Sequence, residues 1–171
     1  MRFSCCCSIA LLTLAASLAR AAPPSPPVAL SAADSSEVRQ HVRIFVDLVA
    51  HDVTRQGPRA WSRYFDDSPA FFMAVNGKMA FSSGMAARDG IPKVALMFRR
   101  IELNWGSDLR IDPLTRRLAL VAVPWREVLT DSGGHVMKQA GFFTGIAEYR
   151  DARWQFRDVH WSAPVSCSPG Q

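Results

Sequence analysis

Residues 118–129, 135–149 and 154–162 read LALVAVPWREVL, HVMKQAGFFTGIAEY and WQFRDVHWS. Each stretch is rich in β-branched and aromatic residues, and turn formers separate them: Ser132-Gly133-Gly134 in one gap, Asp151-Ala152 in the other. Connections this short join only antiparallel neighbours, because a parallel crossover needs a dozen or more residues. The three stretches are therefore successive strands of one meander, and a fourth strand, about Ile101 to Ile111, precedes them across an Asp112-Pro113 turn. The first stretch is apolar at both parities, with Leu118, Leu120 and Ala122 on one side and Ala119, Val121 and Val123 on the other. A strand with one wet face alternates more cleanly, so both faces of this sheet require cover. Helices suit one face, and a twofold-related copy of the chain suits the convex one, which predicts a homodimer.

Upstream the period changes. Val38, Val42, Phe45, Val46, Val49 and Val53 recur at helical spacing behind Asp34 and Glu37, a pair at capping-box distance, so a helix is expected from about Ser35 to Gln56. Gly57 and Pro58 stop it. A short helix over Arg59 to Phe65 should follow, then a hairpin whose Asn76-Gly77 turn separates Phe71, Phe72 and Val75 from Met79 to Phe81. Asp89-Gly90 and Pro92 open a third helix carrying Val94, Leu96, Met97 and Phe98.

The first residues combine Arg2, an apolar run from Ile9 to Ala19 too short to span a bilayer, and the small-x-small end Ala19-Arg20-Ala21. That pattern predicts a signal peptide over residues 1–21 and a periplasmic or secreted product with no membrane attachment after cleavage. Residues 22–33, with Pro23-Pro24-Ser25-Pro26-Pro27, read as a Pro-rich linker, 34–164 as one domain and 165–171 as a tail. Only Cys167 of the 4 cysteines follows the cleavage point, so no internal disulfide can form. Without Arg2 and Arg20 the chain keeps 18 basic against 15 acidic residues, a net of +3, scattered except for the pairs Arg99-Arg100 and Arg116-Arg117. No contiguous basic stripe is present for nucleic acid.

Gly141-Phe142-Phe143-Thr144-Gly145, Arg150-Asp151-Ala152-Arg153-Trp154 and Val159-His160-Trp161-Ser162 resemble the closing motif of nuclear transport factor 2-like (SnoaL-like) domains, including the kinase-association type. The resemblance covers nearly all of the chain from about Glu37. It implies an α+β cone in which three helices from the N-terminal half pack on a curved antiparallel sheet of about six strands around a pocket. The superfamily holds isomerases, cyclases, dehydratases, transport adaptors and assembly hubs, so the likeness implies a fold and no single activity. Asp151-Ala152 departs from the usual Asp-Gly turn. The strand carboxylate, phenol and protonated acid of the steroid-isomerase branch have no residue-by-residue match, so no catalytic residues are carried over.

Candidate site residues follow from parity. Trp154, Phe156, Asp158, His160 and Ser162 share one face of the last strand, and its two aromatics mark that face as concave, which puts His160 at the pocket floor with Asp158 able to orient it. Trp161 then points outward, and a one-residue slip or bulge would exchange it with His160. Glu127 shares the parity of Val121, Val123 and Trp125, so it points inward as a desolvated acid or base, unless Pro124 marks a bulge that reverses it. Trp61, Phe65, Trp105, Trp125 and Phe143 could wall an apolar cavity, with the phenol of Tyr64 beside them. Asp47 and His51, four apart on the first helix, lie away from its valine stripe and face solvent.

No HExxH, CxxC, glycine-rich phosphate loop or GxSxG elbow occurs, so neither a metal nor a cofactor is expected. These readings point to an exported domain that binds a small apolar molecule. The alternatives are a cofactor-independent isomerase or dehydratase-type enzyme using His160 with Glu127 or Tyr64, and a non-catalytic homo-oligomeric assembly module.

Overall fold

A computed structural model describes residues 29–164. The expected signal peptide, most of the linker, and the tail with Cys167 lie outside the described residues. Helix α1 spans Ala32–Gln56 and begins inside the expected linker, because Ser31 caps it by accepting the Asp34 N–H at 3.0 Å. Its valine stripe is buried as the spacing predicts, and Gly57, at φ +75°, ends it by donating its N–H to Val53. A 3-10 helix, Pro58–Arg63, follows, and then strands β1 (Phe72–Val75) and β2 (Lys78–Phe81), whose Asn76-Gly77 turn takes positive φ at both residues. Helix α2 spans Gly84–Met97, starting five residues before the expected Asp89-Gly90 opening, because Ser83 accepts the Ala86 N–H at 3.1 Å and Pro92 is tolerated inside the helix.

The expected strand from Ile101 to Ile111 is two strands, β3 (Phe98–Trp105) and β4 (Arg110–Thr115), both antiparallel to β5 (Leu118–Asp131). Asp112-Pro113 belongs to β4, and the turn falls at Arg116-Arg117. With β6 (Val136–Arg150) and β7 (Arg153–Ser162), the sheet has seven strands in the order β2-β1-β7-β6-β5-β3, with β4 also on β5. It is mixed and not wholly antiparallel: β1 runs parallel to β7. The chain from β2 through β6 supplies the length that a parallel connection requires. Helix α1 crosses the concave face against β3 and β4, and the core lies between them.

Two irregularities decide which side chains reach that core. Pro124 makes no bulge, because β5 and β6 pair residue for residue from Leu118↔Glu148 to Thr130↔Val136. It stands where β5 changes partner from β4 to β3, and its carbonyl accepts from Gly106 on that same edge, so its missing N–H interrupts no ladder. The parity from Val121 through Trp125 to Glu127 is therefore unbroken. Strand β7 does bulge: Ile146 pairs with Asp158 and Ala147 with Phe156, which leaves Arg157 as the extra residue. Beyond it the faces exchange. Val159 and Trp161 are buried while His160 is exposed, so the expectation of His160 at the pocket floor is corrected by that bulge.

Candidate functional site

A cavity of about 390 Å³ opens between the 3-10 helix, the β1–β2 hairpin, α2 and the β5–β7 part of the sheet. This volume lies within the range of roughly 300–1,000 Å³ common to small-molecule sites. Five aromatic residues wall it, Trp61, Phe65, Phe81, Trp125 and Trp161, with aliphatic support that includes Ile91, Val94 and Ile101. Local sequence explains the wall. The 3-10 helix turns Trp61 and Phe65 to one side, where their rings stack at 5.1 Å, and the β7 bulge brings Trp161 in to meet Trp61 edge-on at 5.6 Å and Trp125 at 5.3 Å. Gly141 makes room, since a β-carbon there would lie 1.8 Å from the Ser162 carbonyl oxygen and 2.9 Å from the Trp125 ring.

Among the described residues, three polar side chains line the cavity: Asn76, Glu127 and Gln139. The Asn76 amide oxygen accepts the Ala163 N–H at 2.7 Å. Gln139 is the cross-strand neighbour of Glu127 and donates its side-chain N–H to Glu127 Oε2 at 3.0 Å. Among the described residues, Glu127 is the single charged member of the lining. Burial pushes its carboxyl above the ordinary carboxylate range, and the Gln139 hydrogen bond opposes that only in part. The indole N–H groups of Trp125 and Trp161 are buried with no hydrogen-bond partner among the described residues. The edge-on contacts of these rings are the kind in which an N–H faces a π cloud.

The other candidates lie elsewhere. Trp105 and Phe143 do not line the cavity: they pack with Trp161 at 5.6 and 4.8 Å, Phe143 within the core and the half-buried Trp105 against it, and the Trp105 indole donates to the Val46 carbonyl at 2.9 Å. Tyr64 borders a separate hollow with Glu37, His41, Arg63, Arg116 and Trp154. Its hydroxyl donates to Asp52 at 2.5 Å, and burial, reinforced by that carboxylate, pushes the phenol up to about 12. The same hydrogen bond is the main reason that Asp52 is held below the ordinary range, and His51 bonds to Asp52 and not to Asp47. His160 sits in a shallow depression on the outer sheet face with Phe72, Leu120, Thr144 and Asp158. Asp158 pairs with Arg157 at 2.9 Å. The structure therefore brings together Trp61, Phe65, Trp125 and Glu127 and leaves His160, Tyr64, Trp105 and Phe143 outside.

Sequence reading missed Gln139, Phe81, Asn76 and, as an inward residue, Trp161. One signal could have found Gln139: a hairpin centred on Gly133 places residue 139 opposite residue 127.

No protein-family model matches the sequence, and no curated protein does. Solved structures do match in fold. A nuclear transport factor 2-like superfamily protein from Salmonella enterica serovar Typhimurium LT2 superposes with a TM-score of 0.67 at 14% identity, over 80% of this chain and 97% of that one. A protein of Novosphingobium aromaticivorans DSM 12444 considered a scytalone dehydratase gives 0.65 at 11% identity, over 76% and 89% of the two chains. The hexachlorocyclohexane dehydrochlorinase LinA-type3 of Novosphingobium barchaimii LL02 gives 0.62 at 14%, over 79% and 92%. The chain thus has the nuclear transport factor 2-like fold, an α+β architecture of helices on a curved, unclosed sheet.

Proposed function

We propose that this domain is exported and holds a small, largely apolar molecule in the cavity beside Glu127. The observation that carries the reading is the cavity itself: five aromatic walls, one carboxylate and a volume of about 390 Å³ suit a ligand whose surface is mostly hydrocarbon. Similar structures named for a dehydratase and a dehydrochlorinase support a pocket that admits small molecules. A homodimer through the convex face is part of the proposal, because Phe72 and Phe142 stand exposed on it beside half-buried Leu120 and Ile146.

Native mass spectrometry of protein recovered from its own cell tests ligand, subunit count and processing together. The expected spectrum is a dimer beginning at Ala22 that carries added mass. Nile red should bind the emptied protein with a blue-shifted emission that Val94→Trp, which fills the cavity, abolishes. Dye uptake unaffected by that substitution would remove the cavity from the proposal, and a monomer at tens of micromolar would remove the dimer.

A second reading is a cofactor-independent proton-transfer enzyme of isomerase or dehydratase type. The position of Glu127 favours it, since a desolvated carboxylate among aromatic walls is a usable base. Neither His160 nor Tyr64 borders this cavity, so Glu127 would act without them. The test is deuterium incorporation beside the carbonyl of a β,γ-unsaturated cyclic ketone in heavy water. Exchange must require Glu127 and vanish in Glu127→Ala.

A further inference from the structure

The cavity has a polarity that an oily ligand leaves unused. Its single charged group is the Glu127 carboxylate, and no cationic side chain among the described residues acts on it. One carboxylate oxygen takes the Gln139 N–H at 3.0 Å. A carboxylate only accepts, so Gln139 must turn its NH2 toward Glu127, which leaves the Gln139 carbonyl oxygen and the second Glu127 oxygen as two free acceptors at one end of the cavity. The aromatic residues Trp61, Phe65, Phe81, Trp125 and Trp161 form much of the rest of the enclosure, with aliphatic side chains and Asn76 between them. Aromatic faces attract cations through their quadrupoles, and the half-buried Glu127 carboxylate, which has lost part of its hydration, gains from a counter-charge beside it. Acceptors at one end and π faces around them are complementary to a positive donor carried on a hydrophobic body.

We propose that the cavity selects hydrophobic organic ammonium ions, with the ammonium N–H groups donating to Glu127 and Gln139 and the apolar body held among the aromatic walls. This rests on the small-molecule reading above and narrows it to one ligand class. An anionic ligand of the same shape would set two negative charges side by side, and a hydrocarbon would leave the half-buried carboxylate without a counter-charge.

Three probes of nearly equal shape separate the possibilities: 2-(naphthalen-2-yl)ethylammonium, 2-propylnaphthalene and 3-(naphthalen-2-yl)propanoate, each titrated calorimetrically at pH 7.5. Deleting a hydrogen bond to a charged group weakens binding about tenfold. The wild-type protein should therefore prefer the ammonium over propylnaphthalene by about that factor and should reject the propanoate. Glu127→Gln should bring the ammonium-to-hydrocarbon ratio close to one. In wild-type protein labelled with 15N, the Gln139 side-chain amide resonances should shift with the ammonium and not with the hydrocarbon.

Propylnaphthalene binding as tightly as the ammonium to the wild type overturns the charge selection and leaves the apolar pocket standing. An ammonium preference that survives Glu127→Gln unchanged also overturns it, since the cation would then lie elsewhere. If none of the three binds, the small-molecule reading fails, and this inference with it.

Discussion

Comparing two neighbouring residues in β7 tests the bulge that organises the site. Trp161 is 7% exposed and its ring lies 4.8 Å from Phe143, 5.3 Å from Trp125 and 5.6 Å from both Trp61 and Trp105. Replacing a buried tryptophan with alanine costs about 3–5 kcal/mol, the forfeited transfer energy plus the cavity left behind. All of these ring pairs vanish together here, and aromatic pairs add about 0.5–1.5 kcal/mol each beyond area burial, which puts Trp161→Ala at the upper end, about 5 kcal/mol. A domain of this size drops about 3–5 °C in melting temperature per kcal/mol, so Trp161→Ala should melt on the order of 15–25 °C below the wild type, or fail to fold if the parent is marginal. His160 is exposed on the opposite face, and His160→Ala should stay within about 0.5 kcal/mol of the parent. Urea unfolding followed by far-ultraviolet circular dichroism, with matched m-values, measures both. A His160→Ala protein destabilised by more than about 2 kcal/mol beside a Trp161→Ala protein destabilised by less than about 1 would mean that β7 runs without its bulge, since one residue of register turns every later side chain over. Trp161→Phe keeps most of the packing and secures the comparison if the alanine variant does not fold.

Other outcomes follow from single positions. Gly141→Ala places a methyl 1.8 Å from the Ser162 carbonyl oxygen, a backbone atom with no easy retreat, and should cost about 3 kcal/mol and release the Phe142↔Ser162 end of the ladder, visible as faster amide exchange there. Glu127→Gln should stabilise the protein at neutral pH. The native carboxyl binds its proton above the ordinary value of 4.5, so as pH rises past that value the native state holds more protons than the unfolded one and stability falls until the native group has also ionised. Urea midpoints from about pH 4 to about pH 8 should show this slope in the parent and not in the variant, and equal slopes would refute the desolvated Glu127. Ala152 is held at φ +61°, a conformation that costs an L-residue about 1–2 kcal/mol, so Ala152→Gly should be neutral to about 1 kcal/mol stabilising in the same unfolding assay once the entropy of the freer chain is subtracted.

Local pattern settles much of this chain. The valine stripe of α1, its stop at Gly57, the Asn76-Gly77 hairpin and the long β5–β6 pair are legible because each is specified by residues close together in sequence: a helical period, a left-handed glycine, a turn dipeptide, an alternation. The inward parity of Glu127 belongs to the same kind, since an unbroken strand transmits the face of Val121 and Trp125 to every second residue after them.

The site itself needed the tertiary structure. Whether β7 bulges at Arg157 depends on how Ile146 and Ala147 of the neighbouring strand meet it, and nothing in WQFRDVHWS states that. The bulge turned Trp161 into the cavity wall and His160 out to the surface, which period-two reasoning assigned the other way. Ser83 and Ser31, unexceptional in composition, start α2 and α1 because their hydroxyls meet backbone N–H groups three residues on, and only the folded chain distinguishes such a cap from any other serine. Tyr64, Trp105 and Phe143 had the right chemistry for a pocket, but α1 lies across the sheet and engages them through Asp52, Val46 and the packed core. Side-chain type and local period decide what an element is. Which of its residues meet around one empty volume is decided by long-range pairing and packing, as where Phe72 and Val75 of the first hairpin lie beside Asp158 and Trp161 at the far end of the chain.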